Sequence, residues 1–111
     1  MKPYNIEWSH EAIYDAADIA DYIEDSFGYE RSKKFEDDIK AEVGKLSEQY
    51  QSYTGVGIFY RGYLIHRKPF PPSLIFYIVD NNTETVSIIR ILRHEQNWQE
   101  TLRNTLFYTF D

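Results

Sequence analysis

Pro72–Trp98, PSLIFYIVDNNTETVSIIRILRHEQNW, is the stretch on which the fold turns. Leu74–Val79 is an unbroken apolar run rich in aromatic and β-branched side chains. Asp80, Asn81 and Asn82 then supply turn residues, and Thr85–Leu92 returns as a second apolar run broken by one charge, Arg90. Two such runs around a short Asn/Asp cluster predict a β-hairpin. Beyond it, Arg93, His94, Gln96, Asn97 and Trp98 form a basic and aromatic cluster where the last strand leaves the sheet.

Outward from the hairpin, Tyr4–Trp8 alternates as a short first strand. Ser9 is a good helix N-cap and Glu11 suits the first turn of the helix it opens. Ile13, Ala16, Ala17, Ala20, Ile23 and Phe27 recur at helical spacing and predict the buried stripe of that helix, with Gly28 ending it. A second helix follows, carrying Phe35, Ile39, Val43 and Leu46 on one face. Gly55–Tyr60 and Arg61–Lys68 have strand composition, and Pro69, Pro71 and Pro72 are expected to interrupt pairing before the hairpin. Residues 96–107 predict a final short helix. The expected architecture is α+β, one domain over residues 1–111. An N-terminal strand and a helical hairpin pack on an antiparallel meander, and a short C-terminal helix closes the chain.

The totals narrow the function classes. A chain of 111 residues with 42% hydrophobic and 17% aromatic residues suits one domain with a real core. There is no cysteine, which excludes disulfides and thiolate chemistry and suits a cytoplasmic setting. No apolar run approaches membrane-spanning length, so no membrane partner is expected. The net charge of −6 is uneven: residues 1–54 hold six basic against thirteen acidic side chains, residues 55–111 six against five. Such a chain binds nucleic acid weakly unless a local patch on the sheet half does it.

Three constellations stand out within that half. His94, flanked by Arg93 and Glu95, has the right chemistry for a general acid or base, or is an ordinary solvated strand end. Arg90, inside an apolar strand, faces a groove or pairs with a carboxylate of the first helix, since an unpaired buried arginine is too costly. Strict alternation would put Ile89 and Ile91 on one face and Ile88, Arg90 and Leu92 on the other. Arg61, Arg67 and Lys68 interleave with Tyr60, Tyr63 and Phe70, a pattern that suits phosphate binding and base stacking or a solvated strand. His10, His66 and His94 are scattered, so no metal site and no cofactor are expected.

The helical hairpin followed by LIFYIVD and VSIIRILRHEQNW resembles the RelE/ParE superfamily of bacterial toxins over nearly the whole chain. That resemblance implies a small cytoplasmic toxin of a type II toxin–antitoxin module, held by a cognate antitoxin. One branch cleaves messenger RNA on the ribosome without a metal, and another poisons DNA gyrase. Carried onto this chain, it makes Arg61, Arg93 and His94 the catalytic candidates. Arg67, Lys68, Arg90 and Trp98 become candidates for target or nucleic-acid binding. The nuclease branch is strongly basic and carries a terminal Tyr, whereas here the pI is about 5.0 and Trp98 and Gln99 occupy that stretch. Gyrase or another protein is therefore the expected target. The alternatives are a ribosome-dependent endoribonuclease and a non-toxic binding module. The terminal LFYTF, Leu106–Phe110, is expected to dock on the sheet or to offer a surface to an antitoxin or to a second copy in a homodimer.

Overall fold

A computed structural model describes residues 2–111. Its elements run β1 (Asn5–Trp8), α1 (His10–Phe27), α2 (Tyr29–Gln49), β2 (Gly55–Tyr60), β3 (Tyr63–Phe70), β4 (Ser73–Asp80), β5 (Thr85–Arg93) and α3 (Trp98–Asn104). The order is the one expected. The five strands lie as β1-β5-β4-β3-β2, with β2 to β5 an antiparallel meander. β1 returns beside β5 in parallel, Ile6 opposite Val86 and Trp8 opposite Ile88. The α1–α2 hairpin carries the chain from β1 at one edge of the sheet to β2 at the other, and the meander then returns to place β5 beside β1.

Ser9 does more than cap a helix. Its hydroxyl accepts from the Ala12 amide at 3.0 Å and donates to the Ile89 carbonyl at 2.8 Å, while its own amide bonds the Ile88 carbonyl at 2.9 Å. The start of α1 is thereby sewn to β5 at the point where β1 stops. This anchor sets the rotation of α1, which differs from the predicted stripe. Ala12 and Ala20 are the buried positions, whereas Ile13 is 45% and Phe27 55% exposed. On α2, Ile39, Val43 and Leu46 are buried as the spacing predicts.

The hydrophobic residues divide between the two sheet faces. On the helix side, Ile39, Val43, Leu46 and Tyr50 pack against Ile75, Tyr77, Val86, Ile88 and Ile91. On the far side, Ile58, Ile65, Leu74, Phe76, Ile89 and Leu92 pack beneath Leu102 and Tyr108. The final helix and the residues after it therefore cover the face opposite the hairpin, so helical segments lie on both sides. The tail docks in part only: Tyr108 is buried, while Leu106 and Phe107 stand in solvent.

Two local features depart from the simple reading. Tyr77 pairs with Ile88 and Phe76 with Arg90, leaving Ile89 as an extra residue in β5. This bulge breaks the alternation, so Ile88 and Ile91 share the helix face and Ile89 and Leu92 the other. Pro69 also lies inside β3, opposite Leu74, so only Pro71 and Pro72 connect β3 to β4. The reason is positional. The Arg67 amide bonds the Thr54 carbonyl, and two residues on, Pro69 faces the same side after β2 has run out. A strand needs no donor there.

Candidate functional site

The sequence candidates fall at five separate places. Arg90 is the best defined. Its Nε and Nη2 donate to Asp15 of α1 at 2.7 and 2.9 Å, and Asp15 also accepts the Ile91 amide at 3.0 Å. β1 has ended by this point in β5, so Asp15 fills the edge that a neighbouring strand would otherwise bond. Burial pushes the Asp15 carboxyl above its ordinary range, against the pull of Arg90 and the Ile91 amide. The bidentate geometry is structural: both arginine donors aim at a helix, not at an open groove.

Lys68 and Arg67 are adjacent, similarly charged, and placed in opposite environments. Lys68 is 2% exposed on the helix side. Its Nζ donates to the Glu42 carbonyl at 2.8 Å, lies 3.1 Å from the Glu42 carboxylate, and sits 5.3 Å from the centre of the Tyr53 ring. Lys45 and Lys68 together hold the Glu42 carboxyl below its usual range. Arg67 is exposed on the far face, its guanidinium 5.6 Å from the centre of the Trp98 indole. Trp98 in turn packs on Phe76, with ring centres 5.2 Å apart.

Arg61 sits in the tight β2–β3 turn at φ 50°, over the Tyr60 ring. Arg93 ends β5 and turns to the helix side, 5.0 Å from the centre of the Tyr22 ring and 2.6 Å from Glu95. His94 is exposed, and its amide bonds the Pro72 carbonyl. The arrangement thus pairs Arg67 with Trp98 on one face and Arg93 with Tyr22 on the other. Arg61, Arg67, Arg90, Arg93 and His94 do not share a cavity, and no proton donor and acceptor among them face one another across a reaction-sized gap.

Among the described residues, no group of three His, Cys, Asp or Glu side chains is placed to hold a metal ion. Among the same described residues, no helix is long and apolar enough to cross a membrane. What sequence reasoning missed is the hairpin surface. Ile13, Tyr14, Tyr22, Phe27 and Tyr29 are each 45–67% exposed on an otherwise acidic pair of helices. An open groove of about 530 Å³ runs over Ala16, Ala17, Ala20 and Ile39, with Ile13 on its wall, while Tyr22 and Phe27 border a separate cavity. The available signal was Tyr14 and Tyr22, aromatics outside the predicted apolar stripe. Exposed apolar side chains gathered on one helical hairpin suit contact with a partner, although Ile13 and Tyr22 stand on opposite sides of α1.

With this geometry in place, the relatives are informative. The family described as the ParE toxin of the type II toxin–antitoxin system, parDE, matches residues 6–98. The chain therefore belongs to the ParE toxins of type II toxin–antitoxin systems, within the RelE/ParE superfamily. Among solved structures, it is similar to a chain of the chromosomal ParDE system from P. aeruginosa. That likeness has TM-score 0.70 at 22% identity and covers 86% of this chain and 100% of the other. A chain of the RelBE2 toxin–antitoxin complex from Mycobacterium tuberculosis is similar with TM-score 0.58 at 15% identity, over 83% and 99% of the two chains. No curated protein matches.

Proposed function

We propose that this toxin stops growth in the cytoplasm by binding a protein target, with DNA gyrase the first candidate, and performs no bond-breaking chemistry of its own. The observation that carries this reading is the dispersal of its basic side chains. Arg90 is bound to Asp15 and Lys68 to Glu42, while Arg67 and Arg93 lie on opposite sheet faces. Metal-free RNA cleavage needs cations and a proton-transfer group converging on one phosphate. A net charge of −6 further weakens attraction to ribosomal RNA.

The same reading includes a cognate antitoxin that covers the exposed apolar side chains of the α1–α2 hairpin. Ile13, Tyr14 and Tyr22 supply the kind of anchors that interfaces favour. Induced expression of the chain in a bacterium, with thymidine and amino-acid incorporation followed separately, tests the target. Early loss of thymidine incorporation is expected. Early loss of amino-acid incorporation alone would overturn it, and loss of neither would favour a non-toxic binding module. Co-expression of a cognate antitoxin, sought as an open reading frame beside the gene for this chain, is expected to restore growth and to yield a co-purifying complex.

One observation favours ribosome-dependent endoribonuclease activity as a second reading. Arg67 is exposed beside Trp98, a cation and a stacking surface together. In that reading Arg61, Arg93 and His94 act on the RNA backbone.

A further inference from the structure

A second cavity, of about 320 Å³, opens where the tip of the helical hairpin meets the β3–β4 turn. Tyr22, Phe27, Phe35, Phe70 and Pro72 give it apolar walls. Ser73 also lines it, 1% exposed, and the Ser73 hydroxyl is buried without any hydrogen-bond partner. An unpartnered buried hydroxyl is costly, so a guest that draws the Ser73 side chain round toward the cavity and offers it a polar atom gains a bond that the empty cavity forgoes. Of the four charged side chains that line it, Arg31, Lys34 and Arg93 are cationic and Asp38 is anionic. Arg31 lies 4.7 Å from the centre of the Phe27 ring and Arg93 5.0 Å from that of Tyr22, and Lys34 is beside them. Lys34 is paired to Asp38 and Arg93 to Glu95, whereas Arg31 joins none of the ion pairs among the described residues. In a chain of net charge −6, three of its 12 basic residues gather on this one opening.

At about 320 Å³ the cavity is at the lower end of the range for ligand pockets, about 300 to 1,000 Å³, so one large aromatic side chain fits with room to spare. We propose that it receives a Tyr or Trp side chain from an acidic segment of a partner polypeptide. The ring fills the apolar walls and its polar tip meets Ser73. Flanking carboxylates meet Arg31 and Arg93, whose guanidinium groups suit bidentate pairing. The proposal deepens the antitoxin reading by naming one contact, and its test uses no antitoxin, so the two fail separately.

The test is a titration of the ¹⁵N-labelled chain with acetyl-Glu-Tyr-Glu-amide, followed by amide chemical shifts. Saturating shifts are expected at Phe27, Arg31, Ser73 and Arg93. Acetyl-Lys-Tyr-Lys-amide should bind about tenfold more weakly, as opposed charges at one mouth require. Arg31→Glu, an exposed helical position, should narrow or invert that preference while the rest of the spectrum stays in place. Replacing the peptide's Tyr with Phe should weaken binding about threefold, and Ser73→Ala should erase that difference. Absence of saturation, equal binding of the acidic and basic peptides, or shifts mapping elsewhere would each overturn the proposal. Equal binding of the Phe and Tyr peptides would remove the role of Ser73.

Discussion

Asp15 and Arg90, 75 positions apart, form a bidentate pair that joins the first helix to the last strand. The same carboxylate closes the free edge of β5 through the Ile91 amide. Replacing Asp15 with Ala leaves a half-buried guanidinium and a strand amide unpaired together. The expected loss is about 2–3 kcal/mol of stability, read by urea denaturation. Asp15→Ala and Arg90→Met combined should cost clearly less than the two losses added, because the second change removes the orphaned charge. Additive losses would mean that the pair is incidental.

Lys68 is predicted to act on stability and not on the target. Lys68→Ala should cost about 2–4 kcal/mol through the lost stem and the unpaired Glu42 groups. Lys68→Met keeps the stem and should recover at least half of that. Thermal unfolding measures both, and the Met variant should remain toxic when expressed at a temperature where it is folded.

The tail is held to α1 by a clasp that responds to acid. Glu11 accepts from the Thr109 amide at 2.9 Å and its hydroxyl at 3.2 Å, and the Thr109 carbonyl takes the His10 amide. Partial burial pushes the Glu11 carboxyl up, but the Thr109 bonds and the nearby His10 prevail, and it ends below its ordinary range. A carboxyl depressed in the folded state contributes stability above its unfolded pKa of about 4.3, and that contribution is lost as pH falls through the folded value. Amide exchange at Tyr108 and Thr109 should therefore be protected at neutral pH and lose protection below about pH 4. Glu11→Gln should lower protection at neutral pH and flatten the pH response. Unchanged protection in that variant would contradict the clasp.

Arg93→Ala and His94→Ala are expected to leave growth inhibition within a few-fold of the parent chain. A general acid or base would cost about 10²–10⁴-fold in rate when removed. A dilution series of inducer against growth rate separates these cases. Collapse of toxicity in the His94 variant, with folding retained, would favour the nuclease reading.

The reach of the sequence can be judged from particular residues. The α2 stripe was legible because Ile39, Val43 and Leu46 repeat at helical spacing against one sheet face. The rotation of α1 was not, since its alanines offer two plausible buried stripes and the choice rests on Ser9 and Asp15 bonding to β5. The bulge at Ile89 was hidden because every neighbour from Val86 to Leu92 except Ser87 and Arg90 is apolar, so one extra residue leaves no mark on the pattern. Arg67 and Lys68 looked like one patch, although adjacent strand residues face opposite sides and could not share a surface. Arg90 pairing with the first helix was foreseen as one of two outcomes, and Asp15 is the carboxylate that takes it.

The central claim is that this toxin inhibits a protein without cleaving RNA. The most direct measurement adds purified chain to DNA gyrase in a supercoiling assay and, in parallel, to ribosomes programmed with messenger RNA. The account predicts blocked supercoiling or accumulated gyrase–DNA cleavage complexes, with the ribosome-bound message intact. Cleavage of that message, abolished by Arg93→Ala and His94→Ala with gyrase unaffected, would contradict it.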